Sequence, residues 1–143
     1  MIKFVNGKQY PFEAKFAPPK KTPCVPFIST NIMLKGFPKE IIGKLDTGAP
    51  KTMLNSHTAE ILEIDFTKED EARAKPGHTA TKGEFKYWEH YVTFIVFNEQ
   101  YDHFCFPILA GFSPTIVNNL FGCDWLENFC LGIDKNSIHL LKD

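Results

Sequence analysis

Apolar positions along the chain fall in short alternating or continuous runs, rich in β-branched and aromatic residues. That pattern predicts strands more than amphipathic helices. The clearest run is residues 84–97, Glu-Phe-Lys-Tyr-Trp-Glu-His-Tyr-Val-Thr-Phe-Ile-Val-Phe. Asn98-Glu99-Gln100 then turns the chain into a return strand over 103–109. Upstream, residues 25–35 read as a strand, Gly36-Phe37-Pro38-Lys39 breaks it, and residues 40–45 resume it as a hairpin. A further hairpin is expected around Asn6-Gly7, a dipeptide suited to a type I′ turn, with arms over 2–5 and 9–16. A closing hairpin is expected over 131–133 and 137–141, around Asp134-Lys135-Asn136.

Helical signals are few. Asn55-Ser56 is a suitable cap for a short helix beginning at His57, and residues 124–129 read as a second. Residues 67–75 are densely charged and fit either a solvated helix or a loop, which Pro76-Gly77 should end. Ala17-Pro18-Pro19-Lys20-Lys21-Thr22-Pro23 reads as a stiff extended connector. Residues 1–23 are therefore expected to form an N-terminal hairpin and connector, appended to a main domain over 24–143. No repeat or low-complexity tract interrupts it.

Composition adds limits. At 143 residues the chain suits one domain with a real core. It is 43% hydrophobic and 23% charged, with a net charge of −1 and no Lys/Arg stripe, so a nucleic-acid partner is not expected. No segment approaches the ~20 apolar residues of a membrane span, and Asn6-Gly7 interrupts any apolar leader, so a cytoplasmic location is expected. Fourteen phenylalanines point to a core or a cleft built from aromatic rings. The spacing of Cys24, Cys105, Cys123 and Cys130 matches no zinc or redox motif, and reduced, mostly buried thiols are expected. His57, His78, His90, His103 and His139 show no metal-binding spacing, so neither a metal nor another cofactor is expected. Cys105 and His103 lie on one strand, a poor basis for a thiol protease. Trp88 and Trp125 read as packing residues.

The chemistry concentrates in one string, Ile41-Ile42-Gly43-Lys44-Leu45-Asp46-Thr47-Gly48-Ala49. An apolar strand runs straight into Asp-Thr-Gly, which puts a carboxylate at a strand end where a loop can present it. Thr47 can brace the turn through its hydroxyl. Gly48 permits close backbone approach or a positive φ. A second string, Asn118-Asn119-Leu120-Phe121-Gly122-Cys123-Asp124-Trp125-Leu126, sets two apolar residues before a glycine and a short helix.

Together, in this order, the two strings resemble the retropepsin family of aspartic proteases, over roughly residues 24–141. The resemblance implies a mainly β, closed acid-protease barrel with one or two short helices, acting as a homodimer. It makes Asp46 the catalytic carboxylate, Thr47, Gly48 and Ala49 its loop, and Leu120, Phe121 and Gly122 the structure beside it. It also implies a flap over a peptide substrate, and position alone puts this at 76–84, with Thr79, Ala80, Thr81 and Lys82 near the tip. Family chemistry needs two carboxylates about 3 Å apart sharing one proton around a water. Only Asp46 is followed by Thr-Gly, so the partner carboxylate must come from a second copy. The alternative is a dimeric peptide-binding or scaffold module that keeps the fold without turnover.

Overall fold

The computed structural model describes residues 3–5, 8–16, 27–79, 83–133 and 137–143. Twelve strands and two short helices follow along the described chain: β1 (Lys3–Val5), β2 (Lys8–Tyr10), β3 (Phe12–Phe16), β4 (Phe27–Met33), β5 (Lys39–Leu45), β6 (Met53–Leu54), α1 (Ser56–Ile61), β7 (Lys75–Thr79), β8 (Gly83–Phe97), β9 (His103–Phe112), β10 (Asn119–Phe121), α2 (Cys123–Leu126), β11 (Cys130–Ile133) and β12 (Ile138–Lys142). The protein is mainly β with few short helices. None of its described helices is long and apolar enough to cross a membrane.

Seven strands form one sheet in the order β4-β5-β10-β6-β9-β8-β7, and β4 also pairs with β8 through Asn31↔Ile95, Ile32↔Phe94 and Met33↔Thr93. Alternation does the folding. On β4, Ile28, Thr30 and Ile32 are buried, and on β5, Ile41, Gly43 and Leu45. On β8 and β9, Val92, Phe94, Val96, Phe106, Ile108, Ala110 and Phe112 point into the same core. Four phenylalanines, Phe94, Phe106, Phe112 and Phe121, are buried there, whereas Phe37 and Phe97 are exposed. Trp125 stacks on Phe121 at 5.0 Å and meets Phe106 and Phe94 edge-on at 5.3 and 6.0 Å. Edge-on and offset rings are the favoured geometries, so α2 is held by its rings more than by its length.

Several expectations change. The arm expected over 9–16 is two strands, separated at Pro11. β2 pairs with β1, whereas β3 joins the C-terminal hairpin in a sheet ordered β11-β12-β3. Five residue pairs, from Ile138↔Phe16 to Lys142↔Phe12, stitch the N-terminal segment to the chain's end. His139 Nδ1 and Glu13 Oε1 meet at 2.6 Å across them. The Asn6-Gly7 and Asp134-Lys135-Asn136 turns, the connector and Cys24 lie outside the described residues. The charged stretch 67–75 is neither long helix nor plain loop. It contains two 3-10 turns, Phe66–Lys68 and Glu71–Arg73, each capped by an aspartate side chain, Asp65 or Asp70. Pro76-Gly77 does not stop the chain but lies within β7, an edge strand where a missing N–H is tolerated. The Phe85 ring lies over Gly77, with Cζ 2.4 Å from where a Cβ would stand. Cys105 and Cys123 are exposed and Cys130 is half-buried, all free, so the thiols are not mostly buried. Alternation explains Cys105, which occupies the face of β9 opposite the core.

Phe94, fully buried, meets the rings of Phe106, Phe121 and Trp125. Phe94→Ala is expected to cost about 3–5 kcal/mol, the range for truncating a buried ring, read as a lowered denaturation midpoint with unchanged slope.

Candidate active site

β10 is the strand that builds the site. It inserts between β5 and β6, parallel to β5 with Phe121 opposite Leu45, and antiparallel to β6 at Leu120↔Met53. Gly43 lets it approach, since the Phe121 ring would lie 2.4 Å from a Cβ there. Phe121 is fully buried, and its carbonyl accepts the Asp46 amide at 3.0 Å. This bond anchors the first residue after β5, so the carboxylate of Asp46 emerges half-buried at a fixed strand end.

The loop closes on itself. Gly48 N–H donates to Asp46 Oδ1 at 2.9 Å, and Ala49 N–H donates to the Asp46 carbonyl at 3.2 Å. Gly48 has no positive φ. Its value here is space and a donor, because a Cβ would stand 3.3 Å from Asp46 Oδ1. Thr47 and Gly48 are exposed. Thr47 serves the loop through its carbonyl, which accepts the Cys123 thiol at 3.3 Å, and its hydroxyl has no partner among the described residues.

A second layer locks this loop to α2. Cys123 N–H donates to the Ala49 carbonyl at 2.7 Å. Gly122 sits so close beneath the loop that a Cβ would come within 2.5 Å of Ala49 O and 2.7 Å of the Lys51 carbonyl carbon. Its φ of −84° is ordinary, so glycine is required for room and not for backbone freedom. Thr52, fully buried, accepts the Gly122 amide on Oγ1 at 3.2 Å and donates the same hydroxyl to Asp124 Oδ1 at 2.7 Å. Asp124 Oδ1 also accepts the amides of Thr52 and Trp125, each at 2.8 Å. The sequence places Asp124 in the second string and at the start of a short helix, with no role of its own. Its position two residues after Gly122, in the first turn of a helix, was the available signal. Phe121 and Gly122 thus meet the loop from Asp46 to Ala49 in one interlocked unit, while Leu120 pairs with Lys44 and Met53 beside it.

The hairpin expected as a flap is formed by β7 and β8, paired from Lys75↔Tyr87 to Thr79↔Gly83. Thr79 ends its first strand. Ala80, Thr81 and Lys82 lie outside the described residues. Glu89, which sequence reading passed over, stands near its base. One carboxylate oxygen is 2.6 Å from Lys51 Nζ and the other pairs with Lys75. Lys51 and then Lys75 hold the Glu89 carboxyl below its ordinary 4.5, against burial, which acts the other way. Glu89 in turn raises Lys75 above its usual value.

No family model matches the chain, and no curated protein matches its sequence. In structure it is similar to a retropepsin-like aspartic protease from Rickettsia conorii, with a TM-score of 0.68 at 21% identity. The match covers 92% of this chain and 91% of that one. The chain therefore has the retropepsin-like aspartic protease fold, as the paired strings around Asp46 and Gly122 implied.

Two outcomes test this architecture. Gly122→Ala is expected to destabilise by about 3 kcal/mol, because the clashing atoms are backbone, and Thr52→Val by about 1–3 kcal/mol, because it strips Asp124 and Gly122 of a buried partner. Both are read in denaturant titrations. Glu89 contributes stability that is full above 4.5 and is lost as pH falls through its lowered folded value. Glu89→Gln should therefore cost about 1 kcal/mol at pH 7, allowing for solvent screening. The gap in melting temperature to the parent should close as the pH is taken well below that of an ordinary glutamate.

Proposed function

We propose that this chain is one subunit of an aspartic endopeptidase, with Asp46 as its catalytic carboxylate. The observation that carries the reading is the strand β5 running into Asp46-Thr47-Gly48, gripped from below by Phe121 and Gly122. Such a grip fixes a carboxylate in place before any substrate arrives, and electrostatic and acid–base catalysis depend on that. The pairing circuit from β4 through β5, β10, β6, β9 and β8 back to β4 supports a closed acid-protease barrel.

The second carboxylate comes from a second copy. A twofold axis beside the exposed Thr47-Gly48 loop brings Asp46 and its copy to one water. One aspartate, ionised, takes a proton from that water, whose oxygen attacks the peptide carbonyl. The other, protonated, donates to the carbonyl oxygen. The first aspartate then gives its new proton to the amine nitrogen as the C–N bond breaks, and the second takes a proton back from a hydroxyl of the tetrahedral carbon, which becomes the carboxylic acid, so the dyad is singly protonated throughout. The pair is competent only with one shared proton, so activity belongs in the acid to mildly acidic range. The substrate is an extended peptide. β7 is the outer strand of the seven-stranded sheet, and its free edge suits main-chain pairing with such a peptide.

Parent and Asp46→Asn proteins, incubated with a mixed peptide library from about pH 3.5 to 7, test this. The parent should cut, with specific activity rising with protein concentration as the dimer forms, and Asp46→Asn should not. Products that persist in Asp46→Asn would remove Asp46 from the chemistry. A dimer that cuts nothing at any pH would put the non-catalytic peptide-binding or scaffold module in its place.

A further inference from the structure

Glu89 occupies the point where β8 changes partners. Tyr87 is the last β8 residue to pair with β7, opposite Lys75, and Trp88 is the first to pair with β9, opposite Phe112. A hairpin that swings does so about such a junction, because beyond it β7 and β8 pair only with each other. Here Lys86 is the next anchor, its carbonyl accepting the Ser113 hydroxyl at 2.7 Å and its Nζ 3.0 Å from Glu71. Glu89 is next along, opposite Gly111. By strand alternation it shares a face with Tyr87, turned away from the core that holds Trp88, and it lies diagonal to Lys75, within reach of a long side chain.

Its carboxylate therefore touches both sides of the junction. Oε1 holds Lys75, on the hairpin's outer strand. Oε2 holds Lys51, which closes the loop that begins at Asp46. The two arms differ. Lys51 is 26% exposed and its ammonium also donates to the Leu109 carbonyl of β9 at 2.6 Å, so it is tied into the fixed sheet. Lys75 is 56% exposed and is the arm that solvent can release. With the Glu89 side chain only 15% exposed, the carboxylate stays where it is while Lys75 comes and goes. Lys51 and then Lys75 lower the Glu89 pKa, which favours the anionic form that holds both ammonium groups.

Resting on the protease reading above, we propose that Glu89 is a positioning residue. It latches the flap to the Asp46 loop through Lys75 and holds the loop itself through Lys51. Of the two arms of Glu89, opening the flap breaks only the Lys75 one, and closing it over a peptide restores that arm without moving the catalytic carboxylate.

The test is hydrogen exchange by mass spectrometry on the full-length protein without substrate, beside steady-state cleavage. Lys75→Met should speed exchange several-fold in the β7–β8 hairpin, over 75–79 and 83–88, and leave the 46–52 loop unchanged. Glu89→Gln should speed both segments, and Glu89→Asp should restore the parent pattern in part. In cleavage, Lys75→Met should raise KM with little change in kcat, whereas Glu89→Gln should also lower kcat. Unchanged hairpin exchange in Lys75→Met overturns the latch. So does faster exchange spread evenly over the chain in Glu89→Gln, which would make Glu89 a general stabiliser. Exchange is read without catalysis, so the latch can fail in an active protease and can hold in a protein that cuts nothing.

Discussion

The structure turns on how closely the loop after Asp46 lies over the turn at Gly122. No side chain fits between them, and the backbone of each satisfies the other. The Phe121 carbonyl takes the Asp46 amide, and the Ala49 carbonyl takes that of Cys123. Two loops from distant parts of the sequence are thereby fused into one rigid element. Polar backbone groups at such a depth cost free energy unless paired, so the contact is held by hydrogen bonding as much as by fit.

That fusion needs support on both sides. Beneath it, Thr52 and Asp124 share a hydroxyl proton and three amides, which orients α2 and carries Trp125 into the aromatic core. α2 is only four residues long and could not stand alone. It exists because Asp124, in its first turn, ties it to Thr52 and because the rings of Phe121, Phe106 and Phe129 surround Trp125. Above it, Lys51 ties the end of the loop to β9 and Glu89. The carboxylate of Asp46 is thus held by a chain of contacts running from the core to the base of the β7–β8 hairpin.

Much of this was legible from local pattern. Alternation and turn residues located β4, β5, β8 and β9, because side-chain period and turn chemistry are written over a few neighbours. Asn55 announced α1 by its capping chemistry, and its side chain does accept the Thr58 amide at 2.9 Å. The short strands were harder. β6 has two residues and β10 three, too few for any period, and both are strands only because they pair with β5, β9 and each other. Pro76-Gly77 read as a stop because proline and glycine usually are, but an edge strand and a covering ring overrode the local rule.

The sequence by itself determined the mainly β class, the strand that delivers Asp46 and the order of the two strings that meet around it. Each of these depends on residues within a few positions of one another, or on a motif carried whole. Only the tertiary structure decided that β3 belongs with β12, that Asp124 braces Thr52, and that one carboxylate at Glu89 joins Lys51 to Lys75. Those partners lie outside one another's local sequence, and their energy comes from proximity that no local propensity encodes.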